Sequence, residues 1–399
     1  MLDKQSYITN KFILIVTQNL PVPYDKRVWF EAKSLQEVGH DVSIICPKGF
    51  QLIKSYEMID NISIYRFSVN SSSKTIYSHI KEYFISLFRI FLTILKIAKK
   101  QPIDILQFCT PPDLLFIFGF WCKYIYKSKI VFDHHDLNPE LFEVKYGGKI
   151  YFKWLMNTIE YFAFKVADVI ISPNESYKEI AIKRGNHEVE NIFIVRNSIY
   201  CRNLHENMIK SNKKITIGYL GEIDKHDGLA LLVYALDFLV KENKGIKFIC
   251  SIIGDGPELI NIKHLIEKLK LDIYFTFHGR LWGDDLSQQL NEFDIGVVPD
   301  SDNEFNQLST MGKIFEYMSY SIPMVQFDLK ENHRISEGAA LFADPDNSTD
   351  FGEKLYQLIS NTALRIKLGS HALHKIRHDF CWEDQEKNLL NAYQRVINI

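Results

Sequence analysis

The feature that most constrains the fold is a regular alternation of short apolar segments with helical segments, which restarts near residue 200. Lys11–Val16 is a β-branched apolar run typical of a buried strand, and the pattern of Arg27–Val38 predicts a helix. Asp41–Cys46 predicts the next strand. A strand, a helix and a strand in close succession form a βαβ unit, which indicates a parallel sheet.

The same rhythm continues through both halves of the chain. In the first half it predicts strands at Ile62–Phe67, Ile103–Phe108, Ile130–Phe132, Asp168–Ser172 and Ile192–Val195, with helices at Ile80–Lys99, Leu114–Tyr126, Ile150–Val166 and Glu175–Arg184. In the second half it predicts strands at Ile215–Leu220, Phe248–Ile253, Tyr274–His278, Ile295–Pro299 and Met324–Phe327, with helices at Leu229–Glu242, Glu258–Leu269 and Asp285–Phe293, the segment Ser309–Tyr320, and a long helical tail.

These patterns predict an α/β protein of two Rossmann-like, doubly wound domains with a boundary near residue 200. The chain has 399 residues, which is enough for each domain to bury a core of its own. Ligands of such sheets bind outside the carboxyl ends of the strands. We therefore expect the chemistry in a cleft between two such edges.

Composition narrows the classes of function and the compartment. The formal net charge of -2 gives no field for capturing nucleic acid, so any anion must be bound by a local site. The six cysteines are scattered, which argues against a disulfide framework or a zinc site and favours a reducing compartment. The polar start of the chain does not look like a secretory signal peptide.

One stretch, Ile80–Lys100, is rich in large apolar and aromatic residues with interspersed lysines. Glu82, Arg89 and Lys96 interrupt it, which makes it a poor membrane span. It has two interpretations. The favoured one is a helix packed against the sheet with basic residues on its outer side, and the other is an amphipathic helix at an anionic membrane surface.

Several motifs, in order along the chain, resemble glycosyltransferase family 4. In the second half these are GDGP after a strand, the FHGR turn, DIGVVPDS, TMGKIFEYMSYSIPMV and DFCWEDQ. In the first half NLPVPYDKRVWFEAKSLQEVGHDVSIICP, FDHHDLNPE, ISPNES and VRNS are similar to one branch of that family. The match covers nearly the whole chain and preserves the order of the motifs.

The resemblance implies a GT-B fold, with domains at 1–200 and 201–382 and a final helix, 383–399, that returns to the first domain. It implies a retaining hexosyl- or N-acetylhexosaminyl-type transferase without metal or other cofactor. The implied partners are a nucleotide-diphosphate sugar donor and a glycan or lipid-linked acceptor, with no nucleic acid. The implied setting is polysaccharide, lipopolysaccharide or capsule synthesis in the cytoplasm, at the inner face of the membrane where there is peripheral contact.

The segment Ser309–Glu316 is the predicted donor site. If a helix begins near Thr310 to Gly312, its free N–H groups and its dipole face an anion. Lys313 adds a positive charge in the first turn, and Glu316 follows on the same face to accept bonds from ribose hydroxyls, as the resemblance implies. The alternative is a surface helix with a solvated Lys and Glu.

The sequence departs from the family at this site. Leu308 stands eight positions before Glu316, where the family has a glutamate, and Glu304 is the nearby candidate to replace it. Glu222 and Asp227 stand where the family has an Arg and a Lys that grip the diphosphate. A carboxylate beside a diphosphate is unfavourable, so the positive charge must come from other residues. The candidates are Lys313, Lys225, Arg196 and Arg280.

Two further features border the predicted donor site. Gly254 and Gly256 follow a strand and predict a tight turn beside the nucleotide, although no third glycine completes a dinucleotide fingerprint. By resemblance, Arg280 lines the base pocket. The triplet Asp300-Ser301-Asp302 matches a DxD metal motif of another fold, and we expect instead a loop with two solvated carboxylates.

In the first half, His134 and His135 follow a predicted strand, and the resemblance implies that one of them meets the donor sugar or the β-phosphate; His135 is favoured. A metal site here is disfavoured because adjacent side chains rarely converge on one ion. Asn19 lies in the loop expected to cover the sugar and acceptor. Arg27 and Glu31 either reach the cleft or form an exposed ion pair. The predicted catalytic residues are thus His135, His134, Lys313 and Asn19.

Two other functions remain open from the sequence. One is a sugar-nucleotide epimerase, which also uses two Rossmann-like domains. The other is a non-catalytic nucleotide-binding partner in a glycan assembly complex, which the missing Arg, Lys and first Glu would fit.

Overall fold

A computed structural model describes residues 10–49, 52–69, 76–111, 113–147, 150–206, 214–242 and 246–399. Residues 1–9 of the predicted polar start and 207–213 of the predicted boundary stretch lie outside these ranges. Contacts divide the chain into two compact units. The first unit runs to Arg196 and includes Asp384–Ile399, while the second comprises Asn197–Glu383 and the short stretch Val144–Tyr146.

The first unit is built on a sheet of eight strands within the described ranges. They are β1 (Phe12–Val16), β2 (Asp41–Pro47), β3 (Tyr56–Ile59), β4 (Ile62–Phe67), β5 (Ile105–Cys109), β6 (Lys129–Asp133), β7 (Val169–Ser172) and β8 (Ile192–Ile194). Their order is β3-β4-β2-β1-β5-β6-β7-β8, and each neighbouring pair is parallel except β3 with β4. The helices are α1 (Lys26–Glu37), α2 (Ile76–Ala98), α3 (Phe116–Ile125), α4 (Asn138–Tyr146), α5 (Ile150–Val166) and α6 (Glu175–Lys183).

The second unit repeats the design with six parallel strands. They are β9 (Ile215–Leu220), β10 (Phe248–Ile253), β11 (Phe275–Gly279), β12 (Ile295–Val298), β13 (Met324–Phe327) and β14 (Ala340–Ala343), in the order β11-β10-β9-β12-β13-β14. The helices are α7 (Leu229–Lys241), α8 (Leu259–Lys268), α9 (Gly283–Leu290), α10 (Glu304–Leu308), α11 (Gly312–Ser319), α12 (Lys330–Ser336), α13 (Ser348–Ser360) and α14 (Thr362–Asp379).

The last helix, α15 (Trp382–Asn398), begins in the second unit and lies mostly in the first. Tyr393 is buried and its hydroxyl donates to the side-chain oxygen of Gln107 on β5. The side chain of Asn388 donates to the carbonyl of Ile194 at 3.1 Å. The helix is therefore part of the packing of the first unit.

The strand order reverses direction at one point in each sheet, between β1 and β5 in the first and between β9 and β12 in the second. β1, β5 and β12 are buried along their whole length, as expected for strands covered on both faces by helices. Ligands of doubly wound sheets bind at the carboxyl ends of the strands beside such a reversal. These two edges are therefore the places to look for a site.

Four elements were absent from the sequence prediction, namely β3, α4, α10 and β14. β3 forms an antiparallel hairpin with β4 through Asp60 and Asn61, which have positive φ angles of 48° and 61°. α4 has almost no apolar face, because its sequence NPELFEVKY shows no helical periodicity of apolar residues. β14 pairs with β13 and interrupts the predicted helical tail.

The expectation of no disulfide is wrong. Cys201 and Cys381 form one, across a sequence separation of 180 residues. The residues meet because Ile199 forms a parallel bridge with Cys381 and accepts a hydrogen bond from the backbone N–H of Trp382 at 2.9 Å. A sequence without neighbouring cysteines cannot reveal this contact. Cysteine usage therefore no longer supports a reducing compartment.

Within the described ranges, none of the helices combines the length and the apolar character that a membrane crossing requires. α2 agrees with the predicted helix at Ile80–Lys99 and extends it towards the N-terminus. Its inner side packs in the unit, since Ile90 and Ile94 are buried.

Candidate functional site

The carboxyl edge of the first sheet holds a buried ion pair between Asp133, at the end of β6, and Arg27 on α1. The guanidinium donates to the carboxylate through Nη2 at 2.7 Å and Nε at 3.2 Å, and it also donates to the Val195 carbonyl at 2.6 Å. Burial would raise the pKa of Asp133, but Arg27 and His135 hold it well below its usual value. Asp133 is therefore a carboxylate that is fixed in orientation.

Glu31, one turn after Arg27, lies in the same buried cluster. It accepts a hydrogen bond from the amide of Gln107 at 2.6 Å, and its other oxygen lies 3.3 Å from Arg27 Nε. Burial, together with the charge of Asp133, raises the pKa of Glu31 to about 8. The interpretation of Arg27 and Glu31 as an exposed pair is thus wrong: Glu31 is fully buried, because β5 and β6 supply its surroundings.

His135 is a half-buried member of this cluster. Its Nε2 hydrogen-bonds the Asp133 carboxylate, and its backbone N–H donates to Thr110 Oγ1 at 3.1 Å. Burial lowers the pKa of the imidazole, but the Asp133 carboxylate outweighs this and the net pKa of His135 is raised. The ring can therefore carry a proton at a fixed position near neutral pH.

A metal ion would fit this cluster poorly, although ligand atoms of Cys109, Asp133 and His135 lie within 4.8 Å of one another. Arg27 already donates two hydrogen bonds to Asp133. Burial also raises the pKa of the Cys109 thiol well above its usual value, so the thiolate that a metal needs is disfavoured.

The other predicted residues of the first unit have different surroundings or partners. His134 is buried among Phe132, Phe164 and Tyr177, and burial lowers its pKa to about 3. Asn19 is exposed in the loop after β1. Arg196 donates to both oxygens of Glu175, at 2.5 and 2.6 Å, which engages it inside the first unit.

In the second unit, two glycines bring the loops after β9 and β10 into close contact. Gly221 and Gly254 have φ angles of 154° and 150°. A Cβ on Gly254 would lie 1.8 Å from the Gly221 carbonyl oxygen, and one on Gly221 would lie 3.3 Å from Lys313 Cε. Only glycine fits such a close approach of backbone to backbone.

Lys313 lies beside this loop pair and is engaged by protein groups. Its Nζ lies 3.1 Å from both oxygens of Asp300 and 4.8 Å from the ring centre of Tyr219. Asp300 is fully buried, which corrects the expectation that its carboxylate is solvated; the ion pair allows it to be buried. Asp302 is exposed, as expected.

The acidic loop that departs from the family has two different carboxyls. Glu222 is exposed. Asp227 is buried, accepts a hydrogen bond from the Asp224 backbone N–H at 3.0 Å, and has its pKa raised to about 7 by burial, with Lys313 opposing the rise. A carboxyl that is partly protonated at neutral pH repels an anion less than an ionised one.

α11 begins at Gly312, as predicted, and its N-cap residue Met311 gives it no side-chain cap. Gly312 is exposed, with open space where a Cβ would stand. Ser309 is buried, while Thr310 and Glu316 are half-buried. The backbone N–H of Met311 donates to Asn332 Oδ1 at 3.3 Å. The first turn of this helix, which its N-cap side chain does not cap, lies next to Lys313.

The structure brings together only part of the predicted donor site. Lys313, Gly254 and the start of α11 belong to one region. Lys225, Arg280 and Glu304 are exposed, on the turn after β9, after β11 and at the start of α10. Sequence reasoning missed the buried partners Asp300 and Tyr219, for which no sequence signal was available.

Comparison with known proteins agrees with this architecture. Residues 27–201 match the profile described as Glycosyltransferase Family 4, and residues 214–361 match that described as Glycosyl transferases group 1. The chain combines two glycosyltransferase-family domains. The first match covers β2 to β8 of the first sheet of the GT-B fold, and the second covers all six strands of the second sheet.

Two curated relatives are similar over parts of the chain. An uncharacterized glycosyltransferase of Methanocaldococcus jannaschii is 25% identical over 163 residues, 40% of this chain and 44% of the relative. Spore coat protein SA of Bacillus subtilis is 23% identical over 192 residues, 46% and 49% of the two chains. The matches thus span about half the length of these relatives.

Solved structures with the same fold cover nearly the whole chain. Sucrose-phosphate synthase from Thermosynechococcus elongatus superimposes with a TM-score of 0.77 at 13% identity, over 98% of this chain and 100% of the other. Anabaena HepE, in complex with UDP and glucose, gives 0.73 at 14% identity, over 95% and 98%. WaaG, a glycosyltransferase involved in lipopolysaccharide biosynthesis, gives 0.69 at 14% identity, over 95% and 98%.

Proposed function

We propose that the chain is a retaining, metal-independent glycosyltransferase of family 4. It transfers a sugar from a nucleotide-diphosphate donor to a cell-surface glycan or its lipid-linked precursor, on the cytoplasmic side of the membrane. The observation that carries the proposal is the region formed by the close glycine loops after β9 and β10, Lys313 and the start of α11.

This region has the chemistry that a leaving diphosphate needs. The N-terminus of a helix carries a partial positive charge and free N–H donors, which bind phosphate oxygens. Lys313 adds a full charge beside them. As the bond from the diphosphate to the sugar C1 breaks, these donors stabilise the charge that develops on the leaving group.

Asp300 has a defined part in this proposal. It holds the Lys313 ammonium in place with two contacts of 3.1 Å, so the lysine is positioned before the donor arrives. The cost is that Asp300 already neutralises part of the positive charge of Lys313. Asp227, whose pKa is raised to about 7, is partly protonated at neutral pH and adds less negative charge than an ionised carboxylate would, which reduces the penalty of the acidic loop.

Each unit has one further residue with a proposed role. In the second unit, Glu316 accepts hydrogen bonds from the ribose hydroxyls. At the edge of the first sheet, His135 is oriented by Asp133 and can donate a hydrogen bond to a sugar or phosphate oxygen. The acceptor hydroxyl attacks C1 from the face on which the leaving group departs, and its proton passes to the departing diphosphate oxygen. No carboxylate is assigned as a covalent nucleophile.

Two of the similar proteins support the classes of donor and acceptor. HepE was solved with UDP and glucose, which supports a nucleotide-sugar donor. WaaG acts in lipopolysaccharide biosynthesis, which supports a surface glycan as acceptor. We propose a hexosyl- or N-acetylhexosaminyl donor.

The test is a thermal-shift screen of UDP, GDP, dTDP, ADP and CMP, with and without magnesium. A ligand that binds only the folded state raises its melting temperature. We expect one diphosphate to stabilise the chain without magnesium. Lys313→Ala and Glu316→Ala should each weaken its binding roughly tenfold or more, since a hydrogen bond to a charged group contributes about 1.5–3 kcal/mol.

A matched control separates binding from folding. Lys313→Ala leaves Asp300 buried and unpaired, which is destabilising in itself. The double variant Lys313→Met with Asp300→Asn removes the pair together and should fold, yet still fail to bind the nucleotide. Wild-type affinity in this double variant and in Glu316→Ala would refute the assignment.

A second function is favoured by one observation, the engagement of Lys313 by Asp300 beside an acidic loop. This arrangement also suits a nucleotide-binding partner subunit without turnover. Such a protein would give the same thermal shifts but would transfer no sugar.

A further inference from the structure

The first unit exposes large apolar side chains along one stripe of α2. Phe84, Phe88 and Leu92 stand at helical spacing and are 58%, 60% and 48% exposed. Lys81 and Lys96 continue the same stripe at its two ends and are also exposed. The side of this helix that faces away from the core is thus apolar in the middle and basic at the ends, which is the reverse of an ordinary surface helix.

The two neighbouring helices show the same property. On α3, Phe120 and Tyr124 are exposed and their rings lie 4.4 Å apart. On α5, Tyr151 and Trp154 are 79% and 69% exposed. Leu155, Tyr161 and Phe162 of the same helix are also exposed. Lys165 ends this stripe and is exposed.

The three stripes belong to one surface, which we call the aromatic face. Phe91 of α2 packs against Phe118 and Trp121 of α3, with ring centres 6.2 and 5.2 Å apart. Phe116, which precedes the exposed positions of α3, stacks on Phe162 of α5 at 6.0 Å. α2, α3 and α5 all follow strands that step in the same direction across the sheet, so right-handed crossovers place them on the same side.

Ion pairs engage part of the charge on these helices and leave exposed lysines at the ends of the stripes. Within α2, α3 and α5 the sequence has six Lys or Arg residues and two Glu residues. Both glutamates are paired, Glu82 with Arg89 and Glu160 with Arg184, each at 3.2 Å. Lys123 and Lys153 are paired as well, with Asp168 at 2.7 Å and Glu143 at 2.6 Å. The positive charge that the stripes present comes from Lys81, Lys96 and Lys165, which are exposed. The net charge of the whole chain is -2, so this positive charge is local.

We propose that the aromatic face docks on the surface of a membrane that contains anionic lipids. Exposed aromatic and aliphatic side chains enter the headgroup region, while the lysines at the ends of the stripes meet lipid phosphates. Trp and Tyr favour this boundary because one end of the ring system is apolar and the other is polar. In this arrangement the three helices of the face lie parallel to the membrane surface.

A membrane accounts for the face better than a second copy of the chain. Two copies that met through this face would bring lysines of like charge together, whereas an anionic lipid surface is complementary to them. The apolar surface also spans three helices and exceeds the isolated exposed side chains of the second unit, such as Ile273 and Ile366, which are ordinary.

The experiment is flotation of the chain with vesicles of equal parts phosphatidylcholine and phosphatidylglycerol, without donor or acceptor. The expected result is binding to these vesicles at low salt and much weaker binding to pure phosphatidylcholine. The variant with Phe88→Ser, Phe120→Ser and Trp154→Ser should bind roughly tenfold less or weaker still, because each lost side chain removes apolar area from the contact.

Matched controls keep the result specific. Tyr234→Ser, Ile273→Ser and Ile366→Ser together remove exposed apolar side chains of the second unit and should leave flotation unchanged. Lys81→Gln, Lys96→Gln and Lys165→Gln together should weaken binding to the anionic vesicles. Trp154 should show a blue-shifted fluorescence on vesicle addition, which Trp154→Phe abolishes.

Two outcomes would overturn the inference. The first is absence of flotation by the wild-type chain at low salt. The second is concentration-dependent self-association that the face variant abolishes while vesicles have no effect, which would make the face an interface between copies. Because no sugar nucleotide is present, either failure is separate from a failure of the proposed transferase activity.

Discussion

Two carboxyls at the edge of the first sheet show how surroundings decide the state of a side chain. Asp133 and Glu31 are both buried beside Arg27. Asp133 receives two hydrogen bonds from the guanidinium, and Arg27 and His135 keep its pKa low. Glu31 interacts with the Arg27 guanidinium less strongly than Asp133 does, and burial raises the pKa of Glu31 to about 8. One carboxyl is therefore ionised and the other is largely protonated at neutral pH.

The Glu31 carboxyl makes a prediction for stability against pH. The pKa of Glu31 is raised in the folded protein, so the folded state keeps this proton at pH values where the unfolded state has lost it. The free energy of unfolding therefore falls as pH rises from 4.5 towards about 8. Glu31→Gln keeps the shape and the acceptor for Gln107 but cannot ionise. We expect the melting temperature of the variant to gain on the wild type between about pH 5 and about pH 8.

The difference between the two proteins isolates this group from other titrating residues, such as Asp227. A constant difference in melting temperature across that range would contradict the raised pKa. If Glu31→Gln were less stable than the wild type near pH 8, Glu31 would be ionised at that pH and stabilised by Arg27.

At the residue scale, the sequence predicted where a side chain lies along a helix better than it predicted the burial and the partners of that side chain. The helical spacing of Arg27 and Glu31 was readable, but their burial depends on β5 and β6, which lie far along the chain. Lys313 was predicted in the first turn of a helix, yet its partner Asp300 follows a different strand. Contacts between distant segments have no local signal.

At the scale of elements, the disulfide joins the turn Cys201–Asn203 to the residue just before α15. It closes a loop of 180 residues, the greater part of the second unit. A crosslink over a long loop restricts the unfolded chain, which is the main way in which disulfides stabilise.

The disulfide carries the second prediction. Replacing Cys201 and Cys381 by Ser together should lower the free energy of unfolding by about 2–4 kcal/mol in urea without reductant. With reductant, the wild type and the variant should unfold at the same urea concentration. In the wild type unfolded in urea without reductant, four cysteines should be alkylated, and alkylation of all six would contradict the bond.

The periodicity of the sequence located most elements because apolar strands and amphipathic helices leave local patterns. Ile215–Leu220, Phe248–Ile253 and Met324–Phe327 were predicted with the bounds that they have. β3 and β14 were not, since their stability comes from pairing with β4 and β13. Such short strands depend on tertiary context more than on propensity.

At the scale of the whole molecule, the two sheets share one plan. Each starts from a central strand, β1 or β9, adds strands on one side and then reverses to the other. The alternation of strands and helices predicted this α/β plan, because right-handed crossovers leave few other topologies. The identity of the donor and the acceptor does not follow from that plan, since fold alone does not fix function.

The central claim is that this chain transfers sugar from a nucleotide donor. The most direct measurement incubates the chain, in EDTA, with labelled nucleotide sugars and a lipid-linked glycan extract, and follows label into the extract together with release of nucleoside diphosphate. The account predicts transfer from one donor, with its anomeric configuration retained, and loss of transfer in the Lys313→Met, Asp300→Asn variant. Tight nucleotide binding with no transfer from any donor would contradict the claim and favour a non-catalytic partner.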